Sequence, residues 1–176
     1  MTRGRRGYVG GGLAGDIGAS PSSLAEIVGV ETVARYRLSL VREGSVPYDT
    51  TISYDQPERA AAFLHPLLAD YDREVLGALL LTYSYRAIGY TFAYVGTLNQ
   101  APAEPRGLLV PALLANAAAI VMFHNHPGGD PTPSRDDLAV TERVVAAGKL
   151  LGVTVLDHLI LGEPPSYTSL WRSRPW

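Results

Sequence analysis

Apolar and polar positions change period several times along this chain, and each period predicts an element. From Arg35 to Val41 they alternate, with Tyr36, Leu38 and Leu40 against Arg35, Arg37 and Ser39, as in a half-buried strand. After the break at Gly44 and Pro47, Gln56–Ala69 carries Phe63, Leu64, Leu67 and Leu68 on one side and Pro57 near its first turn, an amphipathic helix. Glu74–Tyr83 is an apolar strand. Ala87–Val95 is a second, rich in aromatic and β-branched residues, and the short spacing predicts an antiparallel pair. A loop with Pro102 and Pro105 leads into a helix over about Gly107–Asn116. Ala118–Phe123 is short and continuously apolar, as strands buried on both faces are. A helix over Arg135–Leu151 and a strand over Val153–Leu161 follow, with a further strand at Tyr167–Trp171. Helices and strands alternate irregularly, which predicts an α/β (α+β) fold with a mixed β-sheet flanked by helices.

The ends of the chain differ in character. Residues 1–20 are rich in Gly and Arg with no apolar period, and read as a flexible arm. Residues 21–48 form an extension, with one or two short helices between Pro21 and Tyr36 and then the alternating strand; residues 49–176 form the main domain. Gly10, Gly12 and Gly15 match G-x-G-x-x-G, but no strand precedes them and no amphipathic helix follows, so no dinucleotide site is expected.

Composition narrows the chemistry. The 176 residues are 47 % hydrophobic and 18 % charged, an ordinary globular balance. The formal net charge of -2 argues against a protein that coats nucleic acid, since phosphate binding needs clustered Lys and Arg. There are no cysteines, which excludes disulfides, thiolate metal sites and the cysteine-bound zinc of nucleobase deaminases. A metal must be held by His, Asp or Glu. Met1–Ser20 has no apolar run of signal length, and Ala117–Phe123 is too short to span a bilayer, so a soluble cytoplasmic protein with no membrane partner is expected.

The chemically informative stretch is His124-Asn125-His126-Pro127-Gly128-Gly129-Asp130-Pro131-Thr132-Pro133-Ser134-Arg135-Asp136-Asp137. Histidines at i and i+2, leaving a strand, project to the same side. The Gly and Pro residues then turn the chain back, and Asp137 in the first turn of the next helix arrives as a third ligand. Two imidazole nitrogens and one carboxylate suit a single Zn²⁺ and leave a fourth position for water, whose pKa zinc lowers to about 7. Such a site needs a base and an oxyanion donor. Ser134 is the natural donor. Glu74, at the mouth of an apolar strand, is the best base, although the residues alone do not separate it from Asp70, Asp72 or Glu104.

Plainer readings compete. Ser134-x-x-Asp137 is also the start of a capped helix. The His-x-His pair in a Gly/Pro loop turns the balance toward a metal. Asn125 is expected to point away from the histidines and brace the loop. Thr141, one turn past Asp137, is either a partner that steadies the ligands or an exposed helical threonine. Asp157 and His158 read as a buried hydrogen-bonded pair in preference to a fourth ligand, and His65, before Pro66, as a partly exposed structural residue.

His124-x-His126, seven residues, Ser134, two residues and Asp137 resemble the signature of the JAMM/MPN metalloproteases. The fuller text resembles their bacterial RadC-like (JAB domain) branch, over about residues 50–172. The matching pieces are Arg73-Glu74-Val75-Leu76, Gly96-Thr97-Leu98, Pro105-Arg106, Asn116-Ala117-Ala118, His124-Asn125-His126-Pro127, Pro133-Ser134, Thr141 and Leu156-Asp157-His158. The resemblance implies a JAMM/MPN (cytidine-deaminase-like) architecture with zinc held by His124, His126 and Asp137. It also implies Glu74 as general acid/base on the zinc-bound water, Ser134 stabilising the tetrahedral intermediate, and an amide or isopeptide bond of a peptide or protein as substrate. Gly128 stands where that branch usually has Ser, and Gly107 where it usually has Glu. Leu24–Tyr36 lacks the second glycine of the helix-hairpin-helix many relatives carry, so the DNA-repair association of the branch finds no support there. A zinc-dependent peptidase or isopeptidase is the leading expectation. A non-catalytic binding module and a DNA repair or recombination accessory factor are the alternatives.

Overall fold

A computed structural model describes residues 34–96 and 103–176. Backbone packing divides the chain into two units, Met1–Arg37 and Leu38–Trp176, and the second holds every element named below. In order these are α1 (Pro57–Leu68), β1 (Val75–Leu81), β2 (Ala87–Val95), α2 (Pro105–Leu114), β3 (Ala119–Asn125), α3 (Arg135–Leu151), β4 (Thr154–Leu161), β5 (Tyr167–Ser169) and α4 (Leu170–Ser173). The strands form one sheet in the order β2-β1-β3-β4-β5. β1 is antiparallel to β2 and β3, β3 and β4 are parallel, and β5 returns antiparallel to β4. The sheet is mixed, as expected, because α3 provides the long crossover that a parallel pair requires.

Two-residue alternation along buried strands splits the core into two layers. Val75, Leu79, Leu81, Val121, Phe123, Leu159 and Leu161 pack with Leu64 and Leu68 of α1. On the opposite face Leu76, Ala78, Leu80, Ile120 and Met122 pack with Leu108 and Ala112 of α2 and with Val140 and Val144 of α3. Every residue of β1 and of β3 is buried, which is why both read as continuous apolar runs. α3 keeps the bounds its pattern gave, from a Ser134 cap to Gly152, whose φ of 72° is the left-handed conformation that closes a helix and favours glycine. α2 starts two residues early because Pro105 takes the first helical position, where a missing N–H costs nothing.

Two expectations fail. Residues 35–41 form no strand; Leu38 and Val41 are 76 and 82 % exposed, so the alternation has no buried face to satisfy and no ladder to join. The last strand ends at Ser169 instead of Trp171, because the Ser169 hydroxyl accepts from the Arg172 N–H and starts a single helical turn. The arm over 1–20 and the helices expected between Pro21 and Tyr36 lie outside the described residues, except 34–36, which are not helical. No helix among the described residues is long and apolar enough to cross a membrane.

Candidate metal centre

β3 carries His124 to the end of the sheet's buried interior, with Leu76 of β1 directly across and Ile160 of β4 on the other side. The loop that follows is seated by backbone bonds. His126 N–H donates to the Leu161 carbonyl (2.8 Å), Gly129 N–H to the His126 carbonyl (2.9 Å) and Glu163 N–H to the Gly129 carbonyl (3.0 Å). Gly162 is required there, since a Cβ would sit 2.3 Å from the Gly129 oxygen. Asp130 closes the turn by accepting from the Thr132 N–H (2.9 Å) and hydroxyl (2.6 Å). α3 then begins with a reciprocal cap: Ser134 Oγ accepts from the Asp137 N–H (3.1 Å), and Asp137 Oδ2 accepts from the Ser134 N–H (2.7 Å).

These constraints bring three side chains together. His124 Nε2 and His126 Nε2 are 2.9 Å apart; Asp137 Oδ1 lies 3.2 Å from the first and Oδ2 3.7 Å from the second. One ligand atom from each residue falls within 4.8 Å of the others. Four ligands around a zinc ion at its usual bond lengths stand roughly 3.3 Å apart, so the spacing matches a cation's coordination shell. The donor inventory fits as well. His126 Nδ1 lies 2.7 Å from the Asp130 carbonyl, which only accepts, so Nδ1 carries the proton and Nε2 of the neutral ring is bare. Burial raises the Asp137 carboxyl, but the neighbouring His124 ring and the bonds from Ser134 outweigh it and hold the group well below the usual carboxylate range. An ionised carboxylate and a bare imidazole nitrogen are both acceptors, so the three converging groups could hold a cation.

The profile of the family described as RadC-like JAB domain matches residues 54–175. The chain belongs to the RadC-like JAB domain family. Its relatives include a UPF0758 protein of Desulforamulus reducens, 36 % identical over 157 residues covering 86 % of this chain and 69 % of the relative. Another, of Syntrophotalea carbinolica, is 38 % identical over 153 residues, 87 % of this chain and 64 % of the relative. A third, of Methanosarcina acetivorans, is 33 % identical over 150 residues, 82 % and 66 %. The chain thus spans about two thirds of the length of these curated relatives, and their shared name states no activity.

The other residues singled out in this RadC-like JAB domain separate into those behind the cluster and those across the sheet. Thr141 is buried, not an exposed helical residue; its hydroxyl lies 2.5 Å from the Asp137 carbonyl and 2.6 Å from His158 Nδ1. His158 Nε2 lies 2.9 Å from His124 Nδ1, and complete burial pushes this imidazole well below its ordinary value. Asp157 and His158 do form a buried hydrogen-bonded pair, but through the His158 backbone and not its ring, because neighbours on a strand face opposite ways. Only the His158 backbone N–H reaches Asp157 (2.7 Å), whose carboxylate also accepts from the Ser169 hydroxyl (2.6 Å) and the Trp171 N–H (3.0 Å). Asp157 is therefore no partner of the metal ligands. Asn125 does point away from the histidines, but it braces β1 in place of its own loop. Its Oδ1 accepts from the Val75 N–H (2.7 Å), and its Nδ2 donates to the Arg73 carbonyl (3.2 Å).

That brace clasps the two peptide groups flanking Glu74. Glu74 is half-buried, and its carbonyl accepts from Gly96 N–H (2.8 Å), extending the β1–β2 ladder by one residue. Leu76 faces His124 across the sheet, so the two-residue period puts the Glu74 side chain on the metal-cluster face. Sequence reading missed the Asp130 carbonyl that sets the His126 ring; the Asp130-Pro131-Thr132-Pro133 turn signal was the available clue. The two departures from the family text differ in kind. Gly107 is filled against, since a Cβ would meet the Tyr94 ring at 2.7–3.0 Å, while Gly128 has open space around it.

Proposed function

We propose that the domain is a zinc-dependent metallohydrolase that cleaves amide or isopeptide bonds of a peptide or protein substrate. The observation that carries the reading is the convergence of His124 Nε2, His126 Nε2 and the Asp137 carboxylate, three acceptors aimed at one point with their remaining polar atoms already bonded. His124, His126 and Asp137 would hold the metal, leaving one position open. Zinc, when bound there, acidifies water and polarises a carbonyl oxygen.

The chain's own groups then have distinct work. The Glu74 carboxylate takes a proton from the attacking water and returns it to the leaving amine. The placement of Glu74 at the strand mouth, clasped through Asn125, supports this role. Ser134 serves two ends without conflict: its oxygen accepts the Asp137 N–H as a helix cap, and its hydroxyl proton stays free to donate to the oxyanion. The capping and catalytic readings of Ser134-x-x-Asp137 are thus compatible.

Elemental analysis of the purified, untagged protein beside an identically prepared Asp137→Ala variant tests the metal. About one zinc per chain, lost in the variant, is the expected result. Amide hydrolysis with Glu74→Gln as the inactive control tests the chemistry. No zinc in either sample after supplementation would overturn the reading and leave a binding module on the same fold.

A further inference from the structure

Hydrogen positions behind His124 follow from counting donors, and they end in a single answer. The Asp137 carbonyl only accepts, so the Thr141 hydroxyl 2.5 Å away donates to it. A threonine at this helical offset bonds the i−4 carbonyl by ordinary geometry, so the direction does not depend on the site. Thr141 has one hydrogen, and so it accepts from His158 Nδ1 at 2.6 Å. His158 is wholly buried with no acid at either ring nitrogen; its neighbours there are the Thr141 hydroxyl and His124. A neutral ring with its proton on Nδ1 offers Nε2 as an acceptor, and His124 Nδ1 at 2.9 Å is the donor. As a neutral ring His124 then has no proton on Nε2, the nitrogen facing Asp137 and His126.

We propose that Thr141 and His158 are positioning residues: the chain Asp137 C=O, Thr141 Oγ, His158, His124 Nδ1 locks His124 in the tautomer that presents a bare Nε2 to a cation. The circuit closes on itself. Asp137 terminates the chain through its carbonyl and faces His124 Nε2 through its carboxylate, so both ends of one residue border the same ring. A metal-binding histidine usually rests on a carboxylate or a carbonyl, which is always an acceptor. A second histidine can be donor or acceptor, and Thr141 removes that ambiguity. Without it, His158 could turn its proton toward His124 and force a hydrogen onto the nitrogen meant for metal.

The inference rests on the metal reading above, so its first test needs no metal. In ¹⁵N-histidine spectra of the metal-free protein at about pH 8, where imidazoles are neutral, His124 should show a protonated Nδ1 and a bare Nε2. His158 should show the same pattern. Thr141→Val should convert both rings to mixed tautomers, and Thr141→Ser should restore the single pattern. A protonated Nε2 on His124 in the wild-type protein, or an unchanged pattern in Thr141→Val, would overturn the proposal. Its second test is zinc affinity by competition with a chromophoric chelator. His158→Phe and Thr141→Val should weaken binding by about 10- to 100-fold, with Thr141→Ser near wild type and far-UV circular dichroism unchanged. Equal affinity in all four proteins would overturn it. If the wild type bound no zinc while the tautomer pattern held, the metal reading would fall and the positioning of His124 would stand.

Discussion

Asp137 and Asp157 are equally buried, each 5 % exposed, and lie on opposite faces of the same sheet. Their surroundings differ in one respect that decides what each does. Asp157 receives three donors from its own chain, which tie β4 to β5 and α4. That cluster is closed. Asp137 receives one donor, the Ser134 N–H, and otherwise faces two imidazole nitrogens whose opposite sides are already engaged. That cluster is open, with three ligand atoms converging on one point. Buried polar groups are normally satisfied. Convergent acceptors, with no donor left to supply, therefore mark a binding site where burial alone does not.

The comparison predicts opposite losses, and these are the largest effects. Asp137→Ala should abolish zinc binding, while the lost helix cap costs only about 1 kcal/mol of metal-free stability. Asp157→Ala should keep zinc but lose about 3 kcal/mol in urea unfolding, because it strands three donors, two of them buried. A cleft of about 530 Å³ beside Asp157, lined by Tyr54, Tyr85, Trp171 and Trp176, admits water and keeps the cost from rising further. If Asp157→Ala lost zinc without losing stability, the two clusters would not be independent and the contrast would fail.

Most of this was legible in the chain, for reasons that also explain the rest. β1, β3 and α3 follow from runs whose burial is total or whose caps are explicit, Ser134 and Gly152 above all. His124, His126 and Asp137 follow from spacing, because a strand end, a rigid loop and a first helical turn leave few ways to arrange them. The strand expected over 35–41 failed because alternation states which positions would share a face without supplying anything to cover it. Asp157 and His158 pair as adjacency suggests, but only through backbone, because the period of a strand sends the two side chains to opposite faces. The partners of His158, Thr141 and His124, are separated from it by 17 and 34 positions, and only the pairing of β3 with β4 under α3 makes them neighbours. Asn125 joins residues 50 positions away for the same reason.

Asn125 sharpens the contrast from the closed face. It bonds β1 across the sheet from the open cluster, yet the residue it frames is Glu74. Asn125→Ala should cost about 1–3 kcal/mol by leaving the buried Val75 N–H unpaired. It should also lower the turnover of amide hydrolysis by roughly 10- to 100-fold, since small misplacements of a proton-transfer group are costly. Zinc content should be unchanged, as elemental analysis would read. A loss of zinc equal to the loss of rate would place Asn125 with the metal ligands instead.

The smallest effect is a pH slope. Burial outweighs the three donors at Asp157 and raises its carboxyl above the ordinary aspartate value. A carboxyl with a raised folded pKa keeps its proton longer in the native state. Its ionisation therefore subtracts stability as pH climbs from the unfolded value through the folded one. Asp157→Asn is the matched control, because the amide oxygen can accept the His158 and Trp171 N–H groups while its NH₂ donates to the Ser169 hydroxyl. In urea unfolding of the metal-free proteins, the stability of the variant minus that of the wild type should rise with pH across that window. It should level off once the native carboxyl is ionised. A difference that falls with pH would mean that the donors dominate burial and hold the ionised form. Closure would then be even tighter than its three bonds suggest, and the contrast with Asp137 would rest on the convergence of acceptors there.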